Sequence, residues 1–171
     1  MRSILVIGAS LMMSQLTPAM AVDLPKLDNV PKLSDVKDRS LLDTVNRKLA
    51  QQQIRDGQFE FKTGKAEFAA GNEKRIDGLL KIITDNSNTL KAAFPNLLVT
   101  AEGHTDSDGK ADFNQMLSLG RAKTVCNALK AKGMKLSCKP IGVGSSKPLV
   151  SPEKTAADKQ RNRRVLVQLA R

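Results

Sequence analysis

The order in which strand-like and helix-like patterns follow one another constrains this chain most. GQFEF (57–61) alternates apolar and polar residues and predicts a strand. A helix is predicted from about Asn72 to Phe94, with Ile76, Leu79, Leu80, Ile83 and Leu90 on one face and Pro95 to stop it. LLVTAEG (97–103) predicts a second strand, followed by a helix from about Asp112 to Lys132 that Gly133 ends. Phe113, Leu117, Gly120, Thr124 and Ala128 fall on one stripe of that helix. LSCKPIGVG (136–144) predicts a third strand, in which Pro140 argues for an edge position. Pro152 to Gln160 predicts a short helix and RRVLVQLA (163–170) a last strand. The order strand, helix, strand, helix, strand, short helix, strand favours an α/β (α+β) two-layer sandwich. Its helices are expected on one face of a mixed four-stranded sheet.

The 171 residues fit one such domain, set at 57–171, plus appendages. Residues 1–21 carry Arg2, an apolar run from Ile4 to Met13 and a small-residue ending at Ala19-Met20-Ala21, the pattern of a cleaved secretory signal peptide. Polar residues and Pro18 break that run before it reaches the ~20 apolar residues a span needs. With no Cys near the cleavage point, lipid attachment there has no acceptor thiol. Residues 22–56 form the remaining segment. Val22 to Asp38 shows no sustained period and predicts an extended arm or linker. A helix capped by Ser40 and running to about Ile54 follows, its face Leu41, Leu42, Val45 and Leu49 packing either on the domain or on a partner.

Export places the chain in an oxidising space, where Cys126 and Cys138 are expected to form a disulfide. One His and two Cys are too few for a structural zinc site, and no other cofactor signature is present. The formal charge is +11, and residues 61–171 hold 20 Lys/Arg against 10 Asp/Glu. A basic exported domain can meet nucleic acid, anionic lipid head groups or the carboxylate-rich polymer of a cell wall, and export makes nucleic acid the weakest of these. Aromatics are 3% of the chain, with no Trp or Tyr, which argues against a stacking platform for sugars or bases.

The densest group of functional side chains is EGHTDSDGKADFNQMLSLGRA (102–122), where the second strand ends and a loop opens onto a helix. Ligand sites in α/β folds often form at such strand ends. A catalytic reading is poor. Asp106 and Asp108 sit two residues apart on one loop, whereas glycosidase pairs flank the scissile bond from separate elements. No nucleophile elbow accompanies His104, Asp106 and Ser107. A calcium loop fails too, because no acid lies between Asp112 and Glu153. Binding uses other parts: Asp106 offers a carboxylate, and Arg121 a planar fork suited to one. The first-turn amides near Phe113 and Asn114 suit an anionic group. An amino-acid head group, ammonium beside carboxylate, answers both charges at once. Asp108 reads as a turn-forming side chain, and His104 as a packed loop residue.

GHTDSDG, then N-x-x-L-S-x-x-R-A (Asn114 to Ala122), GVGSSKP and the terminal NRRVLVQL together resemble the OmpA-like peptidoglycan-binding domain, from about Gln58 to Leu169. The resemblance implies non-catalytic binding of peptidoglycan through the diaminopimelate of its stem peptide. It implies that Asp106 meets the ligand ammonium and Arg121 its carboxylate, that Asn114 and the adjoining amides complete the pocket, and that Thr105 shapes the loop. Either Arg163 or Arg164 would line the site. This chain shows no β-barrel, lipobox cysteine or transmembrane helix of the kinds found in other members, so a link to a membrane is expected to run through a partner. That partner would be an outer-membrane or envelope-complex protein docking on residues 22–55, and the alternative function is an accessory subunit of such an assembly.

Overall fold

The computed structural model describes residues 33–171. The expected signal peptide and the arm up to residue 32 lie outside them. In chain order the elements are α1 (Leu33–Asp56), α2 (Glu73–Ala93), β1 (Leu98–Gly103), α3 (Ala111–Ala131), β2 (Cys138–Gly142), α4 (Ala156–Asn162) and β3 (Val165–Ala170). The sheet is mixed, in the order β2-β1-β3. β1 runs parallel to β2, with Val99 opposite Cys138, and antiparallel to β3, with Ala101 opposite Val167. Pro140 therefore lies on an edge strand, where its missing N–H costs least.

Strand alternation turns Val99 and Ala101 of β1 and Val165, Val167 and Leu169 of β3 inward. There they join Leu79 and Ile83 of α2 and Val125 and Leu129 of α3 in one core. Each fully buried aliphatic side chain of this kind contributes about 1.5–3 kcal/mol by leaving water. α3 stops in a left-handed glycine cap: Gly133 has φ +100°, its N–H bonds Lys130 O at 2.9 Å, and the Met134 N–H bonds Leu129 O at 3.0 Å. The Cys126–Cys138 disulfide joins α3 to the start of β2 with a Cα separation of 5.7 Å.

Two differences from the sequence expectation bear on the site. The sheet has three strands, not four, because residues 57–61 contribute only an isolated bridge between Phe61 and Phe68. The Asn72 side chain supplies what a neighbouring strand would have supplied. Its Oδ1 accepts from the Glu60 N–H at 3.0 Å, and its Nδ2 donates to Glu60 O at 2.9 Å. The helix expected to start at Ser40 begins at Leu33, so Ser40 is interior to it and residues 33–38 are helical rather than extended. Of the two places open to its apolar face, that face packs on the domain, with Leu42, Val45 and Leu49 in the core.

α1 also occupies the place beside β3 where a further strand would lie. Asn46 exchanges two hydrogen bonds with the Leu169 backbone, at 3.0 and 2.8 Å, and Gln53 two with Val167, at 3.0 and 2.8 Å. On α3 the core takes Ala122, Val125, Cys126 and Leu129, and the stripe Phe113-Leu117-Gly120-Thr124 lies on another side of the helix. The stripe meets the 61–69 loop, where the Thr124 hydroxyl donates to Ala66 O at 2.6 Å.

Candidate functional site

The loop from His104 to Lys110 leaves the end of β1 and enters α3, and nearly every residue in it is tied down. The His104 N–H donates to Arg164 O at 2.8 Å and the Thr105 N–H to Gly144 O at 2.9 Å. Glu153 accepts from the N–H and the hydroxyl of Ser107, and Lys159 donates to both oxygens of Asp108, at 2.7 and 2.8 Å. Asn114, buried in the first turns of α3, donates its side-chain amide to Asp108 O at 2.8 Å and more loosely to Asp106 O. Asn114 is thus a clamp for the loop, and its own N–H is taken by Lys110 O.

Two glycines bring α3 hard against the strand ends. A Cβ on Gly103 would stand 2.1 Å from Ser118 O, and one on Gly142, its neighbour across the sheet, 2.6 Å from the Leu119 N. Only hydrogen at these positions permits the approach.

Beside this loop lies a cleft of about 600 Å³, walled by α3, the loop, the end of α4 and residues 59–64. Arg121 lies in it, only 6% exposed. Its Nε donates to Lys65 O at 3.1 Å, and its guanidinium sits 5.1 Å over the centre of the Phe61 ring. Among the described residues no acid lies within ion-pair distance of it and nothing accepts from its terminal nitrogens. Burial lowers its pKa, and so does the neighbouring Arg163, while Asp106 raises it. A buried cation without a paired acid is costly unless something else answers the charge.

Asp106, also buried, faces the same cleft. Its Oδ2 is 2.5 Å from Arg163 Nη1, and its Oδ1 accepts from the Asp108 N–H at 3.3 Å. Arg163 is held in turn by Gln160 Oε1, 2.5 Å from its Nη2. Arg164 points elsewhere, donating to Lys147 O and Asn162 O, and does not line this cleft. The Thr105 hydroxyl is buried with no hydrogen-bond partner among the described residues, and Thr105 lines the cleft. Phe113, half exposed, stands on the α3 wall.

His104 is buried on the far side of the strand end, its Nε2 3.3 Å from Glu102 Oε1. Burial first, and then the Arg164 charge, lower its pKa to about 4 against the opposing pull of Glu102.

The fold therefore gathers Thr105, Asp106, Phe113, Asn114, Arg121 and Arg163 around one cleft and leaves Arg164 out of it. Sequence reasoning did not identify Phe61, the Lys65 carbonyl or Gln160. Phe61 ends the segment whose alternation reads as a strand, and neither Lys65 nor Gln160 carries a local signal. The resulting arrangement, two guanidiniums with one carboxylate between their charges, is suited to gripping a zwitterion. Among the described residues no group of three His, Cys, Asp or Glu side chains is placed to hold a metal ion.

Residues 60–163 match the OmpA family. The chain is 34% identical over 122 residues to the outer-membrane lipoprotein YfiB of Pseudomonas aeruginosa PAO1, spanning 67% of this chain and 68% of that one. In fold it is similar to the peptidoglycan-associated lipoprotein of Burkholderia pseudomallei, with a TM-score of 0.54 and 18% identity over 66% of this chain and 89% of that one. The periplasmic domain of Helicobacter pylori MotB is alike to the same degree, TM-score 0.54 and 18% identity, over 66% and 68% of the two chains.

Proposed function

The chain belongs to the OmpA family, and from that premise we propose that it binds cell-wall peptidoglycan without cutting it, by gripping the diaminopimelate head group of the stem peptide, in the periplasm. Its relatives carry names that place them at the envelope: an outer-membrane lipoprotein, a peptidoglycan-associated lipoprotein and a periplasmic domain. In this reading the bound chain ties an envelope component to the wall.

The observation that carries the reading is the state of Arg121. Its fork is buried in the cleft with terminal nitrogens that no acid of the described fold takes up, and a carboxylate offers the matching two-pronged acceptor. The ligand ammonium then lies against Asp106, whose two oxygens each have capacity beyond the single bonds they accept here. Arg163 stays at the cleft wall and holds the Asp106 side chain in place, while the unpartnered Thr105 hydroxyl and the Phe113 side chain bound the space the head group fills. Asn114 acts indirectly, by fixing the loop that carries Asp106.

Sedimentation with purified sacculi tests this. Arg121→Ala or Asp106→Ala should weaken retention roughly ten- to a hundredfold, the cost of removing one partner of a charged hydrogen bond. Arg121→Lys, which keeps the charge and loses the fork, should fall between. Equal sedimentation of the wild type and the Asp106→Ala, Arg121→Ala double variant rejects the pocket, and release of soluble muropeptides would point to a hydrolase instead.

A further inference from the structure

A second concavity, of about 520 Å³, lies between the C-terminal part of α1 and β3, and Phe59 borders both it and the cleft described above. Three pairs of residues lining it have capacity that the described fold does not spend. Ile54 and Leu149 are aliphatic side chains left 82% and 57% exposed. Gln58 has a buried Oε1 with no donor among the described residues, its Nε2 donating to Arg161 O, and the Gln168 side chain is exposed beside it. Arg161 and Arg164 have no acid within ion-pair distance among the described residues. Arg164 spends two N–H groups on carbonyls, and burial lowers its pKa. The remaining charges are Arg75, already paired with Glu60 at 2.9 Å, and Asp56, which accepts from Gln52. The groove is thus apolar in its floor and positive at its wall, three arginines against one aspartate.

We propose that this groove docks a short segment of another protein in which acidic residues flank apolar ones. Carboxylates of the segment meet Arg161 and Arg164, its apolar side chains cover Ile54 and Leu149, and its backbone amides meet Gln58 and Gln168. The unspent Gln58 Oε1 favours a peptide over an anionic lipid. Each peptide bond brings a donor and an acceptor along its whole length, whereas an acyl chain brings neither. The charge fits as well, since a chain of net charge +11 attracts acidic partners before contact and sorts them at the groove. The proposal is independent of wall binding, which uses other residues.

A displayed library of random peptides, selected on the full chain, tests it. Enriched sequences should combine Asp or Glu with Leu, Ile or Phe. Synthesised and titrated, they should bind about tenfold or more weakly to Ile54→Asp and to Arg161→Glu, each a change at an exposed position. Both variants should keep the circular dichroism spectrum and urea midpoint of the wild type, which reports that they are folded. Enriched peptides with no acidic bias, or peptides that bind the variants as well as the wild type, overturn the proposal. So does a finding that these substitutions abolish binding to phosphatidylglycerol vesicles, or a concentration-dependent dimer, while leaving peptide binding alone.

Discussion

His104 shows how a residue that looks reactive in sequence is disarmed by its surroundings. Its ring is 1% exposed and neither nitrogen has a hydrogen-bond partner among the described residues. Because its folded pKa, about 4, lies below the ordinary 6.5, the folded state takes up this proton less readily than the unfolded chain. The stability tied to neutral His104 is therefore complete above about pH 6.5 and is lost as pH falls from there to about 4, at most by ~3 kcal/mol. Urea midpoints at pH 7 and pH 4.5 should show this fall in the wild type and a smaller one in His104→Gln. Asp106 and Arg121 were legible at this scale because a carboxylate and a guanidinium on a strand-end loop and the following helix state their chemistry by type. The choice between Arg163 and Arg164 was not legible. Arg163 closes α4, before β3 begins at Val165, so strand alternation does not govern where it points.

At the scale of elements, α1 has two roles that its sequence shows only in part. The apolar face Leu42, Val45 and Leu49 is readable from helical spacing. Nothing local announces that Asn46 and Gln53 pair with the backbone of β3, because polar residues on a helix read by default as a solvated face. Replacing both by Leu should leave backbone groups of Val167 and Leu169 without partners, at about 1–3 kcal/mol for each buried group left unsatisfied. The check is a lower urea midpoint, accompanied by light scattering that rises with concentration as the uncovered strand pairs with other copies. The missing fourth strand has the same origin. FEF alternates as a strand does, yet Asn72, from beyond the following turn, takes both backbone groups of Glu60. Tertiary bonding by a side-chain amide leaves no trace in a period-two pattern. The strands at 97–103 and 163–170, and α3 with its terminal glycine, were legible because burial, alternation and capping all agree there.

For the whole molecule, charge and pocket would make separable contributions to the proposed wall binding. The excess of lysine and arginine attracts an anionic polymer wherever it lies exposed, and salt screens that attraction beyond about 10 Å at 0.1 M. Sacculus affinity measured across a salt series should fall for the wild type and for the Asp106→Ala, Arg121→Ala variant alike. The gap between them should persist at high salt, because a buried pair of contacts is screened far less. Membership of the family was legible from motifs spread along more than a hundred residues. The place of α1 was less so: its apolar face could pack on the domain or on a partner by sequence alone, and Leu42, Val45 and Leu49 include it in the core.

That inclusion has a mechanical meaning. A chain that ties the wall to something else carries load, and in this fold a pull at the start of α1 reaches the cleft through the helix's buried face and its four amide bonds to β3, then across the ladder to β1 and its loop. Bonds set side by side along a strand share a shearing force and yield together, whereas bonds peeled from one end yield in turn. Under the proposed tethering role the amides of Asn46 and Gln53 would couple grip to anchor, and the rate of their rupture would limit how long a loaded link holds.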